Sequence, residues 1–298
     1  MDWLLKWPSG HLLRLRRSVW RYHVIAWLFL HVWIFGSVGV LSSALANRPL
    51  SKKRATQLAA ERSIPWTKLR ADSAAKLRAV VAAPSLYRRM PTETISCEPD
   101  LFVFLVRHPE VMVGIWQYMG ITRCTVTRIG KYEVQASDGA GTQSRVELVY
   151  STTGLHVLYV EGEYTGSLTK QPIRGRGVIL VQNSTEPAAG QPATAPQLST
   201  RMDVFLKLDH RGAEVIAKAL HPIIGRTADM NFRQSVKFVG EIARVSRSNL
   251  TGMQRLALQL NGIKPTVRDH FLKLTSRLSE ESSPIAAKPP ARSESDLR

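Results

Sequence analysis

Cysteine is nearly missing from this chain. Cys97 and Cys124 are the only two in 298 residues, and no Cys-x-x-Cys occurs. That excludes thiol–disulfide exchange and zinc-ribbon chemistry. The two thiols either pair, if the body is exported, or stay free. His108, His156, His210 and His221 have no cysteine or second histidine at ligand spacing, so no metal site is expected. No Gly-x-Ser-x-Gly elbow is present. Arg174-Gly175-Arg176-Gly177 lacks the Lys-Ser/Thr pair of a phosphate loop and is expected as a basic glycine turn in a loop. Internal repeats are absent too. With these signatures missing, no catalytic residue and no cofactor is expected.

Acidic residues are also scarce. There are 23 Asp and Glu against 41 Lys and Arg, a net charge of +18. Such a surplus attracts polyanions, but its distribution matters. Residues 1–63 hold ten Lys/Arg and two acids, so +8 of the +18 lies at the N-terminal end. That part of the charge flanks an apolar segment, which argues for membrane topology and against nucleic acid as the partner.

One long uncharged run is present. Val24 to Ala46 contains no Lys, Arg, Asp or Glu. Its 23 residues meet the roughly 20 needed to cross a bilayer as a helix. Trp20, Tyr22 and Trp27 crowd its N-terminal end, as interfacial aromatics do. Residues 1–46 are therefore expected to be a basic region and a transmembrane anchor. The alternative is a signal peptide cleaved after Ala46, because Ala44-x-Ala46 has the small-x-small pattern. Lys6, Arg14, Arg16, Arg17 and Arg21 precede the run; Arg48, Lys52, Lys53 and Arg54 follow it. The excess before it favours a single pass with the body outside the cytoplasm.

Beyond the anchor, residues 47–63 are expected as a basic juxtamembrane linker within reach of anionic headgroups. An amphipathic helix follows over 64–83, with Trp66, Leu69, Leu77, Val80 and Val81 on one face and Pro84 at its end. The body, 84–278, has mixed patterning. Leu101-Phe102-Val103-Phe104-Leu105-Val106 is a short, fully apolar run, as in a central strand. His108-Pro109-Glu110 opens a helix to Met119, which Gly120 stops. Period-two stretches then cover Thr122–Arg128, Tyr132–Ala136, the alternation of Val146, Leu148 and Tyr150, His156–Tyr164, Gly177–Gln182, and Met202–Leu208. Residues 184–196 are an Ala/Pro/Thr loop. A long helix is expected over Gly212–Ser246, broken near Pro222 and Gly225, with two more at Thr251–Leu260 and Thr266–Leu278. Residues 279–298 have the composition of a disordered tail.

The order of these pieces, from Leu101–Val106 through the His108–Met119 helix and the strands to the helix holding Phe232–Val245, resembles the START-like and polyketide-cyclase-like helix-grip proteins over about residues 90–247. The expected fold class is thus α+β: an antiparallel sheet packed on a long C-terminal helix, preceded by a transmembrane helix. The resemblance implies an apolar cavity between sheet and helix for a lipid or other apolar small molecule. The Pro222–Gly225 break and the extra C-terminal helices depart from it.

Two constellations remain. Arg226, Arg233, Lys237 and Arg244 are spaced 7, 4 and 7, which sets them along one helical line. They are the candidate anion- or membrane-surface-binding residues, against the alternative of a solvated face. Glu161 and Glu163 share one side of a strand and, with His156, are the groups that acid–base chemistry would use. The expected function is a membrane-anchored, non-catalytic binding module for an apolar ligand. The alternatives are an assembly protein working through its basic surface, or an enzyme using the same cavity.

Overall fold

A computed structural model describes residues 52–165, 172–186, 196–209 and 213–281, with the backbone alone for Lys52, Glu186 and 213–227. The apolar run 24–46 lies outside them. No helix among the described residues is long and apolar enough to cross a membrane.

The chain enters through two helices, α1 (Lys52–Arg62) and α2 (Ala71–Val81), joined by a 3-10 turn at Trp66–Lys68. Short strands β1 (Leu86–Arg89) and β2 (Glu93–Ser96) come next, then helices α3 (Pro99–Arg107) and α4 (Pro109–Tyr118). Six strands follow: β3 (Thr125–Gly130), β4 (Glu133–Ser137), β5 (Thr142–Ser151), β6 (Leu155–Tyr164), β7 (Ile173–Glu186) and β8 (Gln197–Leu208). The chain ends in α5 (Ala213–Ser248), α6 (Leu250–Leu258) and α7 (Pro265–Glu281). The fold is α+β, with an antiparallel sheet and a C-terminal helix.

All eight strands join one sheet in the order β1–β8–β7–β6–β5–β4–β3, and β2 also pairs with β8. The six-strand meander runs from the edge strand β3 inward to β8. The first two short strands lie end to end along the far edge of its last strand, in the registers Arg89↔Asp203 and Glu93↔Thr200.

Each face of the sheet carries its own core. The outer face is covered by α1, α2 and the turn between them, whose Ala60, Ile64, Leu77, Val80 and Val81 pack on Tyr87, Val157, Tyr159, Val178, Leu180 and Phe205. The inner face and the second half of α5 build the larger core with α3, α4, α6 and α7. There α5 comes so close to β2 that a Cβ on Gly240 would stand 3.3 Å from the Cβ of Ile95. Phe104 and Phe271 stack at 5.8 Å where α3 meets α7.

Several expectations are corrected. Leu101–Val106 belongs to helix α3 and not to a strand. Pro99 stands in its first turn, where a missing N–H costs nothing, and Asp100 favours the same end through the helix dipole. Residues 52–62, expected within a linker, are helical, and Gln57 and Ala60 are buried on the sheet. The expected break at Pro222 and Gly225 is absent: α5 is assigned as one helix through both. A proline in a helix removes one hydrogen bond and bends the axis, which a long helix anchored beyond it can absorb. Arg174–Gly177 lies inside β7, not in a loop. Helix α7 reaches Glu281, three residues into the expected tail.

Candidate functional site

Strand alternation assigns each side chain of β6, β7 and β8 to a face. Val157, Val178, Leu180 and Phe205 point outward under the α1–α2 pair and are 0 % exposed. The intervening residues point inward, and several of them are not sealed. Leu158, Val181, Met202 and Val204 stay partly accessible. They are neighbours across the strands: Leu158 pairs with Ile179, which pairs with Val204, and Val181 pairs with Met202. The inner face therefore offers a contiguous apolar patch of branched side chains and one methionine, a side chain able to adapt to an irregular shape.

One end of this patch turns polar. His156 pairs across the strands with Val181, and Thr200 with Asn183. Both His156 and Thr200 are 0 % exposed. The Arg107 guanidinium donates to Ser151 Oγ at 2.8 Å, and that hydroxyl lies 2.8 Å from His156 Nδ1. With one lone pair of Ser151 taken by Arg107, its proton is free for Nδ1. The imidazole then carries its own proton on Nε2, an atom with no partner among the described residues. Burial, and then the Arg107 charge, push the His156 pKa down to about 4. A neutral imidazole of this kind is a poor proton acceptor at neutral pH, which argues against a general base here.

The remaining expected residues are dispersed. Glu161 lies on the outer face, opposite in phase to His156, and accepts from Tyr159 Oη at 2.7 Å. Glu163 pairs with Arg174 at 3.1 Å. These carboxylates and His156 thus face opposite sides of the sheet and share no site. Arg233 pairs with Glu93 at 2.8 Å and Arg244 with Glu241 at 2.7 Å, while Lys237 is exposed. The Arg226 side chain lies outside the described residues. Cys97 and Cys124 are free and buried. Burial and the neighbouring Glu98 charge push the Cys97 thiol up to about 12, so neither its reactivity nor metal binding is favoured. No cluster of three or more His, Cys, Asp or Glu side chains suited to a metal ion occurs among the described residues.

The inner patch escaped sequence reasoning because its signal is distributed. Val181, Met202 and Val204 look like ordinary strand residues, and only their unequal burial against Leu180, Asp203 and Phe205 separates them. Among known proteins, no family model matches the chain, and no curated protein matches it.

Proposed function

We propose that this protein is a membrane-anchored, non-catalytic binding module with a helix-grip architecture, which takes a lipid or other apolar small molecule between the inner face of the sheet and α5. The connectivity supports the architecture. The antiparallel strands and the long helix after them follow in the order of the resemblance, while the strands ahead of the helices are β1 and β2 and not Leu101–Val106, which is helical. The observation that carries the ligand class is the unequal sealing of the two sheet faces. Four apolar side chains, Leu158, Val181, Met202 and Val204, keep accessible area on the face toward α5, whereas their outward neighbours Val157, Val178, Leu180 and Phe205 are fully buried. Apolar area left uncovered costs roughly 25 cal/mol per Å², and an apolar ligand would recover it.

In the same reading residues 24–46 hold the chain in the membrane and the body stands outside the cytoplasm. Helix α1 begins six residues after Ala46, a connection of roughly 20 Å when fully extended. Thr56 of α1 is hydrogen-bonded to Tyr87 at 3.1 Å. The body would thus stay within a short leash of the bilayer that supplies its ligand.

The test is titration of a soluble fragment, residues 47–281, with the neutral apolar dye Nile red. Saturable binding is expected, and filling the patch with Val181→Trp should weaken it at least about 10-fold, the equivalent of 1.4 kcal/mol. Non-saturable binding, or equal binding by the folded variant, would overturn the reading.

A further inference from the structure

A second, separate cleft of about 770 Å³ opens between α3 and α7. It lies beside α7, one of the C-terminal helices that the helix-grip resemblance does not include. A volume of this size is ordinary for a small-molecule site. Its floor is apolar: Val103, Phe104 and Leu274. The Phe104 ring is flanked by two imidazoles, His108 at 4.8 Å and His270 at 4.9 Å between ring centroids.

The charges that line the cleft are unequally paired. Arg277 pairs with Asp100 at 2.9 Å, and Glu280 stands nearby, so the charges there largely cancel. Arg107 stands at the C-terminal end of α3, and Lys273 lies on α7 one turn before Arg277; both line the cleft. Arg107 is held by the Ser151 hydroxyl and carbonyl, not by a carboxylate. Lys273 has no ion-pair partner among the described residues. The C-terminus of α3 contributes a partial negative charge here, equivalent to about half a charge, which two full cations exceed. The imidazoles line the same cleft. Burial first, and then His108, Lys273 and Arg277, hold His270 below the usual histidine range despite the opposing Asp100.

We propose that the cleft binds a small amphipathic carboxylate, its apolar body on Phe104 and Leu274 and its carboxylate between Arg107 and Lys273. A bound anion near His270 favours the imidazolium, so by linkage the affinity rises as pH falls through the histidine range. The cleft shares Arg107 with the polar end of the inner sheet face, but none of the patch residues Leu158, Val181, Met202 and Val204 lines it.

The probe is 4-(trifluoromethyl)phenylacetate, followed by ¹⁹F NMR line broadening with the full chain in a neutral detergent. Its uncharged amide serves as the control for partition into detergent. Saturable broadening by the carboxylate is expected, tighter at pH 6 than at pH 7.5, with the amide at least about 10-fold weaker. Lys273→Glu, at an exposed position, should weaken the carboxylate at least about 10-fold, and Ser276→Trp should block it by filling the cleft. Val181→Trp, on the inner sheet face, should leave it unchanged. Equal binding of carboxylate and amide, wild-type binding by both α7 variants, or loss of binding in Val181→Trp would each overturn the proposal. Failure of Nile red to bind the sheet face would leave these outcomes unaffected.

Discussion

Acid should destabilise this fold through His156 well before its carboxylates titrate. The imidazole is 0 % exposed and its pKa is pushed down to about 4 by burial and by Arg107. In the unfolded chain it returns to about 6.5. Between these values the unfolded state binds the proton and the folded state does not, so stability is intact above pH 6.5 and falls as pH drops toward 4. From pH 7.5 to pH 4.5 the loss from this one residue comes to about 2.5 kcal/mol. His270 acts in the same sense from its own lowered pKa, so the wild-type slope alone does not isolate His156. Comparison with His156→Leu does. The variant removes the titration, and with it a buried N–H without a partner, so its cost at pH 7.5 should be modest. Urea unfolding of residues 47–281, followed by the fluorescence of Trp66 and Trp116, should show wild type losing about 2.5 kcal/mol more than the variant across this range. Parallel losses in the two proteins would mean that His156 is solvated or already charged in the fold, and that the Arg107–Ser151–His156 chain is misassigned.

Three further outcomes are expected. Asp203→Asn should cost about 3 kcal/mol in urea unfolding, because it removes the buried carboxylate that pairs with the partly buried Arg89, whereas Tyr87→Phe should cost only about 1 kcal/mol for one hydrogen bond. Glu110→Gln should remove an acid transition below the usual glutamate range. Burial pushes that carboxyl up, but hydrogen bonds from His108 and Arg128 outweigh it and hold it low, so its contribution is present above the ordinary value and fades as pH falls further. Deleting residues 1–46 should move the body into the soluble fraction; a product that stays in the membrane pellet through high-salt washing would refute the assignment of the anchor.

The strands after Thr122 were legible because period two survives in the sequence, with exposure alternating along β3, β4 and β8. The start of the body was not, for identifiable reasons. Helix α3 buries Leu101, Phe102, Val103, Phe104 and Leu105, so no polar face marks a helical period, and a short, wholly apolar run fits strand and helix alike. Pro99 and Asp100 were the available signal. Helix α1 was hidden for the opposite reason. It touches the sheet through Gln57 and Ala60, a polar and a small side chain that give no hydrophobic pattern. In β7, Gly175 and Gly177 read as a turn, yet they occupy inward positions. A Cβ on Gly175 would meet Leu208 at 3.1 Å, so close packing between strands, not a change of direction, explains that glycine. As for the candidate site, the cations at 233 and 244 were located correctly on one helix, but their partners, Glu93 and Glu241, could not be read from their spacing.

The buried Asp203 raises a different question, since a hydrophobic residue at that point would close the outer face at lower desolvation cost. Its place in the ladder gives an answer. Strand β8 alternates Met202, Val204 and Leu206 inward with Asp203 and Phe205 outward, so a one-residue slip against β1 is opposed by burial itself. A two-residue slip is not opposed in that way, because it preserves the faces and swaps one apolar residue for another. In the observed register Arg89 stands opposite Asp203 and Tyr87 opposite Phe205. Arg89 makes a bidentate contact to Asp203 at 2.8 and 3.0 Å, and Tyr87 Oη donates to it at 2.6 Å. Shifting β1 by two residues puts Arg201 or Phe205 opposite Arg89 and leaves the carboxylate buried without its partner. Breaking such a pair costs about 3–5 kcal/mol, a large share of a typical domain's stability. The Asp203 cluster therefore supplies the register discrimination that the apolar pattern of β8 lacks. Because Met202 and Val204 are its immediate neighbours on the strand, the same contact that ties α1 and β1 to the outer face fixes which side chains the inner face presents.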